Sequence, residues 1–252
     1  MSAAPVSAFP SLAPAAPEHT GMGAIPYDGG VTFRVWSLFA DSVSVVGDFN
    51  NWTPLATPMA RDGNSNYWSV DVPGAKVGQG YKFYLPYAAN AGHNPYRTDP
   101  YARSVAADDG NILNSVVAST STAYDAASYR TPAWNEAVIY ELHIPTFNAE
   151  PSPAPPGTFE SAMLRLPELA QLGINAIEIM PLGQYSGNAS TGYNPGYIFA
   201  VEAAFGGPDG FRDFVNAAHA EGIAVILDVV YNHVDGIDLW QFDGWSVEGG
   251  SC

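Results

Sequence analysis

The sequence predicts two folds in tandem: a small antiparallel β-sandwich, then a parallel sheet built from βα units. Three observations carry this. Between residues 24 and 117 apolar and polar residues alternate in short runs rich in β-branched and aromatic types. From residue 135 the pattern changes to nearly continuous apolar runs separated by stretches of helical spacing. A Ser/Thr/Ala stretch, Ser119 to Thr131, lies between the two.

Residues 1–23 are largely Ala/Pro-rich and cannot bury enough apolar surface to offset the entropy of ordering, so a mobile tail is expected. Order is expected from near Val31. Val31–Trp36, Ser42–Val46, Tyr67–Val72 and Tyr81–Leu85 alternate with the period of a half-buried strand. Asp62-Gly63-Asn64 and Pro73-Gly74 supply turn chemistry between them. The sandwich closes near Val117, and residues 118–134 read as a linker. Over 135–252, Val138–Ile144, Ile174–Met180 and Ile223–Val230 are strand-length apolar runs, as in a sheet covered on both faces. Thr158–Leu172 and Pro208–Glu221 have helical spacing, with Thr158 as N-cap and Gly173 and Gly222 where C-caps belong. Strand, helix, strand, helix, strand is the order of βαβ units.

Nine Lys+Arg against 25 Asp+Glu leave a net charge of −16, which opposes partners recognised through phosphate. Nucleic acid and anionic membrane are therefore not expected as partners. No run approaches the roughly 20 apolar residues of a membrane helix. With 47% hydrophobic residues the chain can build a core, but only 13% are charged, so Gly, Pro and neutral polar groups must cover much of the surface. Such a surface suits a sugar-handling protein. The one cysteine, Cys252, cannot form an intrachain disulfide, and Met1–Pro17 lacks the basic and apolar regions of a signal peptide. The cytoplasm is the expected compartment; the oligomeric state stays open.

The third apolar run ends in Asp228-Val-Val-Tyr-Asn-His233 and the second in Glu178-Ile-Met-Pro-Leu182. Polar residues at the carboxyl ends of parallel barrel strands converge on the active-site face, making Asp228, Asn232 and His233 candidates for one cleft. On the residues alone, a bracing aspartate and a satisfied loop histidine are the more usual reading in a βα protein.

Leu227-Asp-Val-Val-Tyr-Asn-His233 resembles the first conserved motif of the α-amylase superfamily, glycoside hydrolase family 13. Gly173–Leu182 resembles that family's second barrel strand, Thr191–Tyr197 and Phe205–Phe211 its following loop and helix start, and Val138–His143 its first strand. Val45-Val-Gly-Asp-Phe-Asn-Asn-Trp52 is similar to the signature of carbohydrate-binding module family 48. The fold implied is an immunoglobulin-like all-β sandwich followed by the first part of a (β/α)8 TIM barrel, cut after about three strands. By resemblance His233 would hydrogen-bond sugar hydroxyls where the bond breaks, Tyr193 would stack beneath that ring, and Asp228 would orient a neighbouring arginine. These assignments suit the chemistry: an aromatic face packs on a pyranose, and imidazole offers a donor and an acceptor. Asn232 matches a calcium ligand of many amylases, but relatives with a front sandwich commonly lack the ion. No metal and no cofactor are expected. Asn194 stands where relatives often carry aspartate. In the sandwich, Trp52 and Trp68 are either a glucan platform or core, and Asn50 and Asn51 are read as capping a turn.

The family's nucleophilic aspartate follows a fourth barrel strand, its acid glutamate a fifth, and a further Asp and His a seventh. A barrel of this type takes about 250 residues, and the 118 from Asn135 to Cys252 hold about three strands. No catalytic residue is therefore assigned. Glu141 and Glu178, on adjacent strands, are expected to pair with inward polar neighbours instead of forming a nucleophile and acid. The expectation is an amino-terminal part of an α-glucan-active enzyme acting on glycogen, starch or maltooligosaccharides, and inactive alone. The first choice is a 1,4-α-glucan branching enzyme, which the front sandwich and Phe242-Asp-Gly244 favour. An α-amylase or malto-oligosyltrehalose trehalohydrolase-like hydrolase is the alternative, and a non-catalytic glucan-binding protein the rival from another class. The incomplete barrel is expected to expose two sheet edges and to self-associate.

Overall fold

The structure is a computed structural model, and its described residues are 19–86, 94–106, 114–120, 124, 129–149, 156–185, 187, 190–234 and 242. The tail expectation for residues 1–18 lies outside them, as does most of the loop after the third barrel strand.

The sandwich has two antiparallel sheets. One holds β1 (Gly23–Tyr27), β2 (Gly30–Trp36), β5 (Tyr67–Pro73) and β4 (Ala60–Arg61), in the order β1-β2-β5-β4. The other holds β3 (Ser44–Gly47), β6 (Gly80–Tyr84), β9 (Ser115–Val116) and β8 (Ser104–Val105) in that order, with β7 (Tyr96–Arg97) also pairing β6. Alternation does the sorting: Val31, Phe33 and Val35 from β2, Trp68 from β5, Val45 from β3 and Tyr81 and Phe83 from β6 all point into one core. Order begins well before Val31. Strand β1 joins β2 through a two-residue connection, Asp28-Gly29, with Tyr27 opposite Gly30, and His19 stacks on Tyr27 at 4.2 Å. Asp-Gly between strands is a hairpin signal, readable in the sequence but obscured by the Ala/Pro-rich start.

The second part contains a three-stranded parallel sheet, β10 (Ile139–Leu142), β11 (Ala176–Ile179) and β14 (Ala224–Leu227), in that order. Its helices are α1 (Phe159–Met163), α2 (Leu166–Gln171) and α3 (Gly207–Ala220). The single helix expected over 158–172 is two short ones. Pro167 is the cause: it lacks an N–H, and its ring crowds the carbonyl four residues back, so the ladder breaks at Leu164-Arg165. Thr158 does cap α1, its side chain accepting from the Ser161 N–H. Gly173 at φ 87° ends α2 through a Schellman pair, Gly173 N–H to Ala170 O and Ile174 N–H to Leu169 O, and Gly222 ends α3 in the same way.

Leu142, Ile177 and Ile179 on one face of the sheet are covered by Phe159, Leu166, Leu169, Phe214 and Ala218. The other face carries Glu141, exposed, and Glu178 and Ile226, half-buried. Both outer strands leave apolar side chains exposed: Val138 and Ile139 at the start of β10, and Leu227, Val229 and Tyr231 at and beyond β14. Among the described residues no further strand pairs with either. Sedimentation velocity is expected to show concentration-dependent association through these edges; a single monomeric species at all concentrations would contradict it.

An antiparallel hairpin, β12 (Gly183–Tyr185) with β13 (Pro195–Val201), rises between β11 and α3 where the sequence reading placed a loop. It also joins the two parts. Tyr197 and Ala200 of β13 share a buried cluster with Ala102 and Val105 of the sandwich, and Phe199 stacks on Tyr101 at 5.8 Å. Phe242, far along the chain, sits edge-on to Phe83 in the sandwich core, and its carbonyl accepts from Arg97 Nε at 2.9 Å.

Candidate functional site

In-register parallel pairing brings the carboxyl ends of β10, β11 and β14 to one side, with Glu141 opposite Glu178 and Glu178 opposite Ile226. Asp228 directly follows β14 and extends its ladder, its N–H bonding to Ile179 O at 3.1 Å. Into this end reaches Tyr193, from the loop between β12 and β13. Its hydroxyl donates to Asp228 Oδ2 at 2.9 Å. That bond, then partial desolvation and the charges of Asp228, Glu141 and Glu178, hold the phenol above the ordinary tyrosine pKa. The ring itself is 42% exposed, so it offers an aromatic surface edged by carboxylates.

The loop bearing Tyr193 is tightly built. Gly192 N–H donates to Ser190 Oγ at 2.9 Å, and Ser190 Oγ donates to Asn194 Oδ1. Asn194 thus holds the loop together. Behind it, His143 Nε2 meets the Ser190 carbonyl at 3.2 Å.

Of the residues singled out in the sequence, the structure brings Tyr193 and Asp228 into contact and leaves Asn232 and His233 exposed beyond β14. Asp228 accepts from the Tyr193 hydroxyl, a partner that the resemblance does not imply. Glu141 and Glu178 share the open face, and their charges reach the Tyr193 hydroxyl. Among the described residues no cluster of His, Cys, Asp or Glu is arranged to hold a metal. His143, Ser190 and Gly192 were missed as site residues. The Ser-Thr-Gly turn chemistry at 190–192 was a visible signal, but its link to His143, 47 residues earlier, was not.

The sandwich candidates separate. Trp68 is corrected as a glucan contact: it is only 6% exposed, its Nε1 donates to Ser37 O at 3.1 Å, and Arg61 covers its ring at 4.7 Å. Trp52 is half-buried at the end of a turn that Asn50 ties, accepting from Gly47 N–H at 3.0 Å and donating to Val45 O at 3.0 Å. Trp52 Nε1 donates to Asp48 Oδ1 at 2.8 Å. Asn51 and Trp52 have φ of 53° and 56°, a conformation that Asn adopts readily but that costs a bulky residue such as Trp roughly 1–2 kcal/mol.

A sandwich followed by parallel βα units, with polar and aromatic residues gathered at the strand ends, is the arrangement of the first units of a βα-barrel carrying a front module. Residues 21–102 match the model for carbohydrate-binding module 48, the isoamylase N-terminal domain, and residues 101–243 match that for the α-amylase catalytic domain. The chain belongs to the α-amylase superfamily, glycoside hydrolase family 13. It is 37% identical over 207 residues to a malto-oligosyltrehalose trehalohydrolase of Saccharolobus solfataricus, covering 82% of this chain and 34% of that protein. It is also 37% identical over 230 residues to the 1,4-alpha-glucan branching enzyme GlgB of Burkholderia lata, covering 85% and 31%. Among solved structures, a putative alpha amylase from Salmonella typhimurium superposes with TM-score 0.72 at 30% identity, covering 88% of this chain and 35% of that one. The chain thus spans about a third of the length of these relatives.

Proposed function

We propose that this chain forms the front part of an α-glucan-active enzyme of the 1,4-α-glucan branching type, and that its strand-end face binds α-1,4-linked glucose. The observation that carries the reading is the contact of Tyr193 with Asp228 at the carboxyl ends of the parallel strands. There an exposed ring can lie against the apolar side of a pyranose while carboxylates reach its hydroxyls. Family likeness to branching enzymes supports the substrate class. The complete reaction would retain configuration through a covalent glycosyl-enzyme, with nucleophile and acid supplied from outside the residues of this chain. In this proposal Glu141 and Glu178 are not that pair, and His233 and Asn232 serve the sugar. A hydrolase of the trehalohydrolase kind is the second reading, favoured by the 37% identity to that enzyme.

Binding and turnover are measured separately on the purified chain. Maltoheptaose is expected to bind, and Tyr193→Ala to weaken it about tenfold, as loss of one stacking ring does. No new reducing ends or branch points are expected from amylose. Glucan turnover lost on Glu178→Gln would overturn the placing of catalysis elsewhere. Absence of binding would remove the strand-end site, and binding lost only on Trp52→Ala would move it to the sandwich.

A further inference from the structure

Segments that share no strand pairing meet around one imidazole. His143 directly follows β10, and its carbonyl accepts from the N–H groups of Thr146 at 3.2 Å and Phe147 at 3.0 Å. The ring is therefore carried on a closed turn. Its Nε2 lies 3.2 Å from the Ser190 carbonyl and its Nδ1 3.0 Å from Thr146 Oγ1. A carbonyl can only accept, so Nε2 carries hydrogen. The Thr146 hydroxyl donates to Nδ1 of the neutral ring. It accepts from the protonated ring while turning its own hydrogen to the His143 carbonyl, 3.4 Å away. The clamp on Ser190 persists in both protonation states. Ser190 in turn bonds the residues on either side of Tyr193, namely Gly192 and Asn194.

We propose that His143 is a positioning residue that, through Ser190, fixes the loop presenting the Tyr193 ring against Asp228. With both ring nitrogens engaged inside the protein, His143 has no hydrogen-bonding atom left for a sugar; it acts on Tyr193 alone. Its consequence for ligand rests on the α-glucan reading of this face, whereas the placement of Tyr193 does not. The loop lies 47 positions from His143 in sequence, so removing the imidazole removes a tie that holds one side of the loop carrying the aromatic ring.

The test uses the full chain with ring-labelled tyrosine, the Tyr193 signal being identified by Tyr193→Phe. In the wild type the Tyr193 hydroxyl titrates above an ordinary tyrosine because it donates to Asp228. His143→Ala is expected to return that titration to the ordinary range and to weaken maltoheptaose binding roughly tenfold. His143→Asn, whose amide is too short to reach the Ser190 carbonyl, should behave like alanine and reads the effect again if the alanine variant fails to fold. His143→Gln, whose amide N–H extends as far as Nε2, should retain both properties. An unchanged Tyr193 titration in folded His143→Ala or His143→Asn overturns the proposal. Loss of the raised titration in a chain whose wild type binds no maltoheptaose supports the positioning role and overturns the glucan reading instead.

Discussion

Alanine at position 192 is expected to separate Tyr193 from Asp228 and abolish most of the α-glucan affinity of the strand-end face. Gly192 has φ 87°, and a Cβ there would stand 2.0 Å from the Pro181 carbonyl oxygen and 3.0 Å from Pro181 Cβ. The left-handed conformation costs a non-glycine residue roughly 1–2 kcal/mol, and forced overlap in a packed contact roughly 1–3 more. No side-chain rotation relieves it, because the obstacle is backbone. Pro181 cannot retreat easily either: Met180 N–H bonds to Leu142 O at 3.0 Å, and Leu182 O accepts from Glu202 N–H at 2.8 Å. The loop must therefore move, and it carries Tyr193. Isothermal titration with maltoheptaose should show affinity lower by tenfold or more, with the cooperative melt largely kept because the core beneath is untouched. Wild-type affinity in Gly192→Ala would show that the loop position does not govern binding.

The second large effect concerns stability against pH. Asp99 is fully buried in the sandwich, and its pKa is raised from 3.8 to about 6, first by burial. Hydrogen bonds from Tyr81 Oη at 2.5 Å and Tyr101 N–H at 2.8 Å, together with the Arg103 charge, oppose that rise but do not cancel it. Tyr81 is itself buried, and its pKa is raised well above the ordinary tyrosine value, so it stays a neutral donor. A carboxyl whose pKa is raised on folding binds protons more readily in the native state. Its contribution is fully present below about pH 4 and is lost as pH rises through about 6. Two pKa units correspond to about 3 kcal/mol. Chemical denaturation from pH 4 to pH 8 should therefore show the wild type losing stability relative to Asp99→Asn, which cannot ionise. The background of a chain with net charge −16 is nearly common to both and drops out of the difference. Parallel stability curves would refute the assignment. The effect bears on function because Asp99 lies at the junction where Tyr101 and Ala102 meet β13, the strand that leads out of the Tyr193 loop.

Much of this architecture is legible in the sequence because local rules suffice for it. Alternation in β2 places Phe33 in the core, whereas for Trp68 its burial decides between core and glucan platform. Glycines at 173 and 222 end helices as their sequence positions indicate. Two elements are not legible in the sequence for definite reasons. Pro167 lies in a run with good helical spacing, so periodicity outweighed the missing N–H that breaks it. The β12–β13 hairpin has shifts of register between Gly183 and Tyr185, and such irregular strands leave no clean period-two pattern.

Taken alone, the amino-acid order determined the two-part plan and the candidacy of Asp228, since hydrophobic period, turn chemistry and strand-end motifs are properties of neighbouring residues, and the resemblance to a known family added Tyr193. Only the tertiary structure decided which candidates meet. The Tyr193–Asp228 bond spans 35 positions and the His143–Ser190 contact 47, and both depend on parallel register and on a glycine held against Pro181. Hydrogen bonds act over about 3 Å, so partners distant in sequence are chosen by the fold that brings their atoms together.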